Sequence, residues 1–82
     1  HIIDPQKHTP ISHNLASVSV IADSATTADG LSTALFVLGE QRALQLAEQQ
    51  GLAVFLIIRD GSGYRTAMSS AFKQLLRDKD KS

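Results

Sequence analysis

Cysteine is absent from the 82-residue sequence, so a disulfide, a zinc–thiolate site and a redox-active thiol are all excluded. An excess of one charge is missing too: eight Lys and Arg residues balance eight Asp and Glu. Chains built to grip nucleic acid or anionic lipid cluster basic residues, so no nucleic-acid partner is expected here. Long hydrophobic runs are also lacking. The longest, Leu52 to Ile58, is far below the roughly 20 residues that cross a bilayer. No signal peptide opens the chain, and neither repeats, low-complexity segments nor an internal linker interrupt it. With 43% apolar and 20% charged residues, the composition is that of one ordinary folded domain. A chain of this size buries only about 60–65% of its unfolded surface, so its core is small. Without an initiator Met, and with Ile2 and Ile3 directly behind His1, it reads as a piece of something longer.

Patterning predicts a succession of short elements. His1 to Asp4 is extended and stops at Pro5, because a residue before proline is pushed out of the helical region. Lys7 to Asn14 reads as a polar loop, in which His8 and His13 are expected to be solvated. Leu15 to Ala22 alternates, with Ala16, Val18 and Val20 on one face and Ser17 and Ser19 on the other, the pattern of a half-covered strand. Thr26 and Asp29 fit a capping box for a helix running to about Leu38, which Gly39 closes in the left-handed conformation. The wheel gathers Ala28, Leu31, Ala34, Leu35 and Leu38 toward the core and places Phe36 and Val37 on the opposite side. A second, outer helix spans Gln41 to Gln50 and ends at Gly51.

Leu52 to Arg59 reads as a buried strand, Asp60-Gly61-Ser62-Gly63 as a hairpin turn, and Tyr64 to Met68 as the returning strand. Ser69 or Ser70 caps a last helix whose apolar stripe is Phe72, Leu75 and Leu76. The expected fold is therefore α+β, in the order β-α-α-β-β-α. A helical crossover between the first two strands most simply makes them parallel, giving a mixed sheet with helices packed on it.

Chemistry concentrates at Thr26-Thr27-Ala28-Asp29-Gly30-Leu31-Ser32-Thr33. Asp29 and Thr33 are four apart, so a carboxylate and a hydroxyl point the same way one turn apart. Such a pair suits Mg²⁺, a hard cation that takes one or two protein oxygens and completes its shell with water and phosphate. The spacing alone is common on solvated faces. Flanking by Phe36 and Val37, however, calls for a cover of ligand or further protein, since an unpaired carboxylate beneath an apolar cover is costly. His1, with Asp4 three residues on, is a candidate base or phosphate contact, or a structural histidine. No Gly-x-Ser-x-Gly elbow makes Ser69 or Ser70 a nucleophile, and Gly61 and Gly63 precede no helix and so make no phosphate loop. Arg59, Tyr64 and Arg65 read as a solvated rim.

The combination of His1-Ile2-Ile3-Asp4-Pro5, Ser17-Val18-Ser19-Val20-Ile21-Ala22 and Ala28-Asp29-Gly30-Leu31-Ser32-Thr33-Ala34-Leu35-Phe36-Val37-Leu38-Gly39 resembles the C-terminal part of the FAD:protein FMN transferases, the ApbE flavin transferases. The similarity extends over essentially the whole chain, including the Met68-Ser69-Ser70-Ala71-Phe72-Lys73 ending. It departs in the first loop, where Gln6-Lys7-His8-Thr9-Pro10 has no glycine, and at Gly30, where Ala is common. The resemblance implies that residues 1–82 are the C-terminal part of a single flavin transferase domain whose N-terminal part is missing. It implies Mg²⁺ as cofactor and FAD as substrate, with FMN attached by a phosphoester bond to Thr or Ser of a target flavoprotein. Such targets are subunits of sodium-pumping quinone reductases or related electron-transfer complexes.

By the same resemblance, Asp29 and Thr33 are the metal ligands, Asp29 also contacts the cofactor, and His1 is the catalytic histidine beside the phosphates. The full-length protein is then expected to be a periplasmic lipoprotein of the inner membrane, and the isolated fragment to be inactive. Two other readings of the residues are a Mg²⁺-dependent FAD pyrophosphatase releasing FMN and AMP, and a non-catalytic interaction module.

Overall fold

A computed structural model of the chain describes residues 3–4, 9–10 and 13–81. The element order is β1 (Ile3–Asp4), β2 (Thr9–Pro10), β3 (Leu15–Ile21), α1 (Ala25–Leu38), α2 (Glu40–Gln50), β4 (Ala53–Asp60), β5 (Gly63–Met68) and α3 (Ser70–Lys81). From β3 onward this is the predicted β-α-α-β-β-α succession, and the class is α+β. Within the stretch read as extended segment and loop, β1 and β2 form a two-residue antiparallel ladder, Ile3 opposite Pro10 and Asp4 opposite Thr9.

The main sheet has the order β3-β4-β5 and is antiparallel throughout, so the expected mixed sheet is corrected. The reason is the number of helices between β3 and β4. One crossover helix carries the chain back to its starting end and yields a parallel strand. Here α1 runs away from the end of β3 and α2 returns, so β4 starts where β3 stopped, with Ala53 opposite Ile21.

β4 is the central strand and shows the alternation of a sheet covered on both faces. Val54, Leu56 and Ile58 are buried beneath α1 and α2 with Leu15, Leu35, Ala43 and Ala47. Phe55 projects the other way, beside its cross-strand partner Met68, and meets Phe72 of α3 with ring centroids 5.5 Å apart. A bulge in β3 decides which of its residues reach the core. Leu15 pairs with Ile58 and Ser17 with Ile57, so Ala16 is the extra residue. The inserted residue shifts the alternation by one. Leu15 therefore shares the core face with Val18 and Val20, and Ala16, expected there, does not complete the row.

The helix ends are set locally. Ser24, and not Thr26, caps α1: its hydroxyl accepts the Thr27 N–H at 3.1 Å and donates to the Thr27 hydroxyl at 2.8 Å. At the junction of α1 and α2, Gly39 has φ 83° and ψ 174°. That is a region essentially confined to glycine, and it differs from the left-handed helical closure expected. Gly51 does take the left-handed conformation after α2. α1 is also rotated relative to the predicted wheel. Leu35 is fully buried and Phe36 packs against the core, whereas Ala34 is exposed and Leu38 remains 37% exposed. In α3, Phe72 is half-buried while Leu75 and Leu76 stay 45% exposed, so that stripe is only partly used.

Polar contacts pin the elements together. Ser69, the only buried polar residue among those described, precedes α3. Its hydroxyl accepts the Val54 N–H at 2.9 Å and donates to the Leu52 carbonyl at 2.6 Å. Arg65 of β5 donates two hydrogen bonds to Glu40 at the start of α2, at 2.8 and 2.6 Å. These bonds, and to a lesser extent the guanidinium charge, hold the Glu40 carboxyl below its ordinary range.

Candidate functional site

α1 carries both predicted metal ligands. Asp29 lies in its second turn and Thr33 one turn later, and both are exposed. The Thr33 hydroxyl donates to the Asp29 main-chain carbonyl at 3.0 Å, and Ser32 donates to the same oxygen at 2.9 Å. This back-bonding spends the hydroxyl's single proton on the helix and leaves the oxygen's lone pairs as its remaining valence. An oxygen so disposed can accept or ligate; it cannot donate outward. Thr33 further lines a shallow depression of about 220 Å³ with Ser32, Phe36 and Val18 of β3.

The donor set is a carboxylate and a neutral hydroxyl, both hard oxygen ligands, which fits Mg²⁺ better than a softer metal. Among the described residues no group of three or more His, Asp or Glu side chains comes together. Among the described residues, Asp29 and Thr33 would therefore supply only part of a coordination shell.

Other predicted positions fall elsewhere. His1 and His8 lie outside the described residues. Arg59, Tyr64 and Arg65 are exposed, as expected for a rim, although Arg65 is engaged by Glu40. Phe36 does not stand opposite the apolar stripe but turns to the edge of the core between Thr33 and the sheet.

His13 is the residue that sequence reasoning missed. Instead of being solvated, it is half-buried, its ring edge-on to Phe36 at a centroid distance of 5.0 Å and 73° between planes. Both ring nitrogens are bonded: Leu15 N–H donates to Nδ1 at 3.2 Å, and Nε2 lies 2.7 Å from the Phe36 carbonyl. No local signal marks this role, because the partner is 23 residues away.

Comparison with known proteins agrees with this architecture. A match of the chain to the sequence model of the ApbE family covers residues 1–56. The FAD:protein FMN transferase of Haemophilus influenzae is 56% identical over 80 residues, covering 98% of this chain and 23% of that protein. Its namesake from Salmonella typhimurium is 53% identical over 76 residues, covering 93% of this chain and 22% of the relative. In three dimensions, the apo flavinyl transferase ApbE of Pseudomonas stutzeri superposes with a TM-score of 0.87 at 51% identity, over 92% of this chain and 24% of that one. The flavin transferase ApbE of Vibrio cholerae gives 0.83 at 42% identity, over 90% and 24%.

These relatives define the class as flavin transferases. The chain belongs to the ApbE family. It spans about a quarter of the length of the relatives it matches.

Proposed function

We propose that this chain is the C-terminal part of a single flavin transferase domain, in a full-length Mg²⁺-dependent FAD:protein FMN transferase. The observation that carries the reading is the 56% identity to an enzyme of that name, over nearly the whole chain. Asp29 and Thr33, one helical turn apart and both accessible, add a physical basis for it.

In this reading Asp29 holds the metal through its carboxylate and Thr33 through its hydroxyl, whose proton is already committed to the Asp29 carbonyl. When bound, Mg²⁺ supplies charge neutralisation on the pyrophosphate of FAD. The chain's own share of catalysis is to hold two oxygens in fixed register on a rigid helix, which is positioning and electrostatic preorganisation. His1 is assigned, by family resemblance, to the phosphate side of the site. The acceptor is a Thr or Ser hydroxyl of a target flavoprotein, whose oxygen forms the new bond to the FMN phosphorus as the bond to AMP breaks. Family resemblance further points to subunits of sodium-pumping quinone reductases or related complexes as targets, and to a periplasmic, lipid-anchored location for the full-length protein.

The test is flavin transfer by the full-length polypeptide to a Thr-containing target, read by mass spectrometry and flavin fluorescence of the adduct. Asp29→Ala is expected to lower the rate by roughly 100-fold or more, the scale of losing one preorganised electrostatic contact. Undiminished transfer by that variant would reject the proposed role of this face. FMN and AMP released without adduct would identify a pyrophosphatase instead.

A further inference from the structure

We infer that His13 is a positioning residue for the metal-binding face of α1, acting through the Phe36 carbonyl; the inference rests on the reading of Asp29 and Thr33 given above. Leu15 N–H can only donate, so Nδ1 of His13 is the acceptor. Nε2 therefore carries the proton and donates to the Phe36 carbonyl at 2.7 Å. That carbonyl lies in the last turn of α1, where helical partners run out, and its other donor is the Gly39 N–H at a longer 3.3 Å. The imidazole is thus the shorter of the two bonds that close the helix.

Packing explains why such a bond matters. In the C-terminal half of α1, Leu35 is the one fully buried apolar side chain, while Ala34 and Leu38 are exposed. With Leu35 buried and Phe36 only partly so, apolar packing fixes the position of the helix end but, being non-directional, resists rotation about the helix axis poorly. The His13 bond adds a second, directional attachment. It ties α1 to the start of β3, and the edge-on ring contact extends that attachment to the Phe36 side chain. Phe36 in turn lines the same depression as Thr33. Gly39 turns the chain beside this contact at φ 83° and ψ 174°, a backbone conformation essentially confined to glycine. Rotation of α1 is the motion that would swing Asp29 and Thr33 together, and a misplacement of about 1 Å can lower a rate by about 100-fold.

The experiment measures Mg²⁺ affinity of the full-length polypeptide by titrating Mg²⁺ against FAD binding, with thermal melts run in parallel. His13→Gln keeps an amide donor near the Nε2 position; His13→Asn keeps only an acceptor near Nδ1. The expected result is affinity within about threefold of wild type for the Gln variant and weakened about 10-fold or more for the Asn and Ala variants, the scale of lost outer-sphere support. Equal affinity in all three, or a Gln variant as weak as the Asn variant, overturns the inference. A merely structural histidine would lower the melting temperature without this split.

Asp29→Ala in the same assay separates the two levels. Retention of the full Mg²⁺ response by that variant defeats the functional reading, whereas its loss alongside unaffected His13 variants defeats only the present inference. Should the Asn and Ala variants not fold, long-range ¹H–¹⁵N spectra of the wild type decide: an Nε2–H resonance that shifts as Mg²⁺ is added upholds the inference, and an Nδ1–H tautomer or an Nε2–H resonance indifferent to Mg²⁺ overturns it.

Discussion

Ser69 and Val54 are bonded to each other twice. The Ser69 N–H donates to the Val54 carbonyl at 2.9 Å, and the Val54 N–H donates to the Ser69 hydroxyl at 2.9 Å. The same hydroxyl donates to Leu52 at 2.6 Å and accepts the Phe72 N–H at 3.4 Å, so its proton and both lone pairs are used. One side chain thus couples the start of the central strand to the cap of the last helix. Ser69→Ala leaves the buried Val54 N–H without a partner and removes the cap, and is expected to lower stability by about 1–3 kcal/mol. Denaturant unfolding checks this: a midpoint within experimental error of wild type refutes the linkage.

Two glycines of one helical region should respond oppositely to the same substitution. Gly30 lies inside α1 with nothing within 4 Å of an added Cβ, so Gly30→Ala is expected to stabilise by about 0.5–1 kcal/mol. Gly39→Ala places a side chain at φ 83°, close to the His13 ring, and is expected to destabilise by about 1–3 kcal/mol. Thermal melts of the two variants give the signs directly.

Glu40 and Arg65 predict an acid-side effect. Hydrogen bonds from Arg65 lower the Glu40 pKa in the folded chain from the ordinary 4.5. A depressed carboxyl pKa contributes stability that is fully present above the unfolded value and is lost as pH falls through the folded one. The stability advantage of wild type over Glu40→Gln should therefore be largest above pH 4.5 and shrink below it. Both groups are partly exposed, so the advantage should be small and weaken with salt. Glu48, whose carboxylate accepts the Ser70 N–H, is also held low, so the variant keeps some acid sensitivity. Unfolding curves at several pH values and two salt concentrations test the sign; an advantage that grows on acidification contradicts it.

What could be read along the chain was whatever depends on near neighbours. Helical spacing from Ala28 to Leu38, the glycines after α1 and α2, the Asp60–Gly63 turn and the apolar run of β4 all express preferences acting within a few residues. They located the elements and put Asp29 and Thr33 on one side of a helix. The resemblance to the ApbE family was legible in the residues themselves, at His1 to Pro5, Ser17 to Ala22 and Ala28 to Gly39. The cap of α1 lies two residues before the expected Thr26, because Ser24, Thr26 and Thr27 offer similar side chains and only the surrounding backbone selects Ser24.

Tertiary contacts decided the rest. Strand direction followed from two helices making a round trip, which no local pattern encodes. The bulge at Ala16 exchanged which residues of β3 reach the core, and the rotation of α1 drew Phe36 inward while leaving Leu38 exposed, because the sheet, not the wheel, sets the buried line. His13 found its partner only when the Phe36 carbonyl, 23 residues away, was brought within 2.7 Å of Nε2. Local sequence settled which segments are helix and strand through short-range sterics and hydrogen bonding; which faces meet, and hence what stands beside Thr33, was settled by burial and pairing between segments distant in the chain.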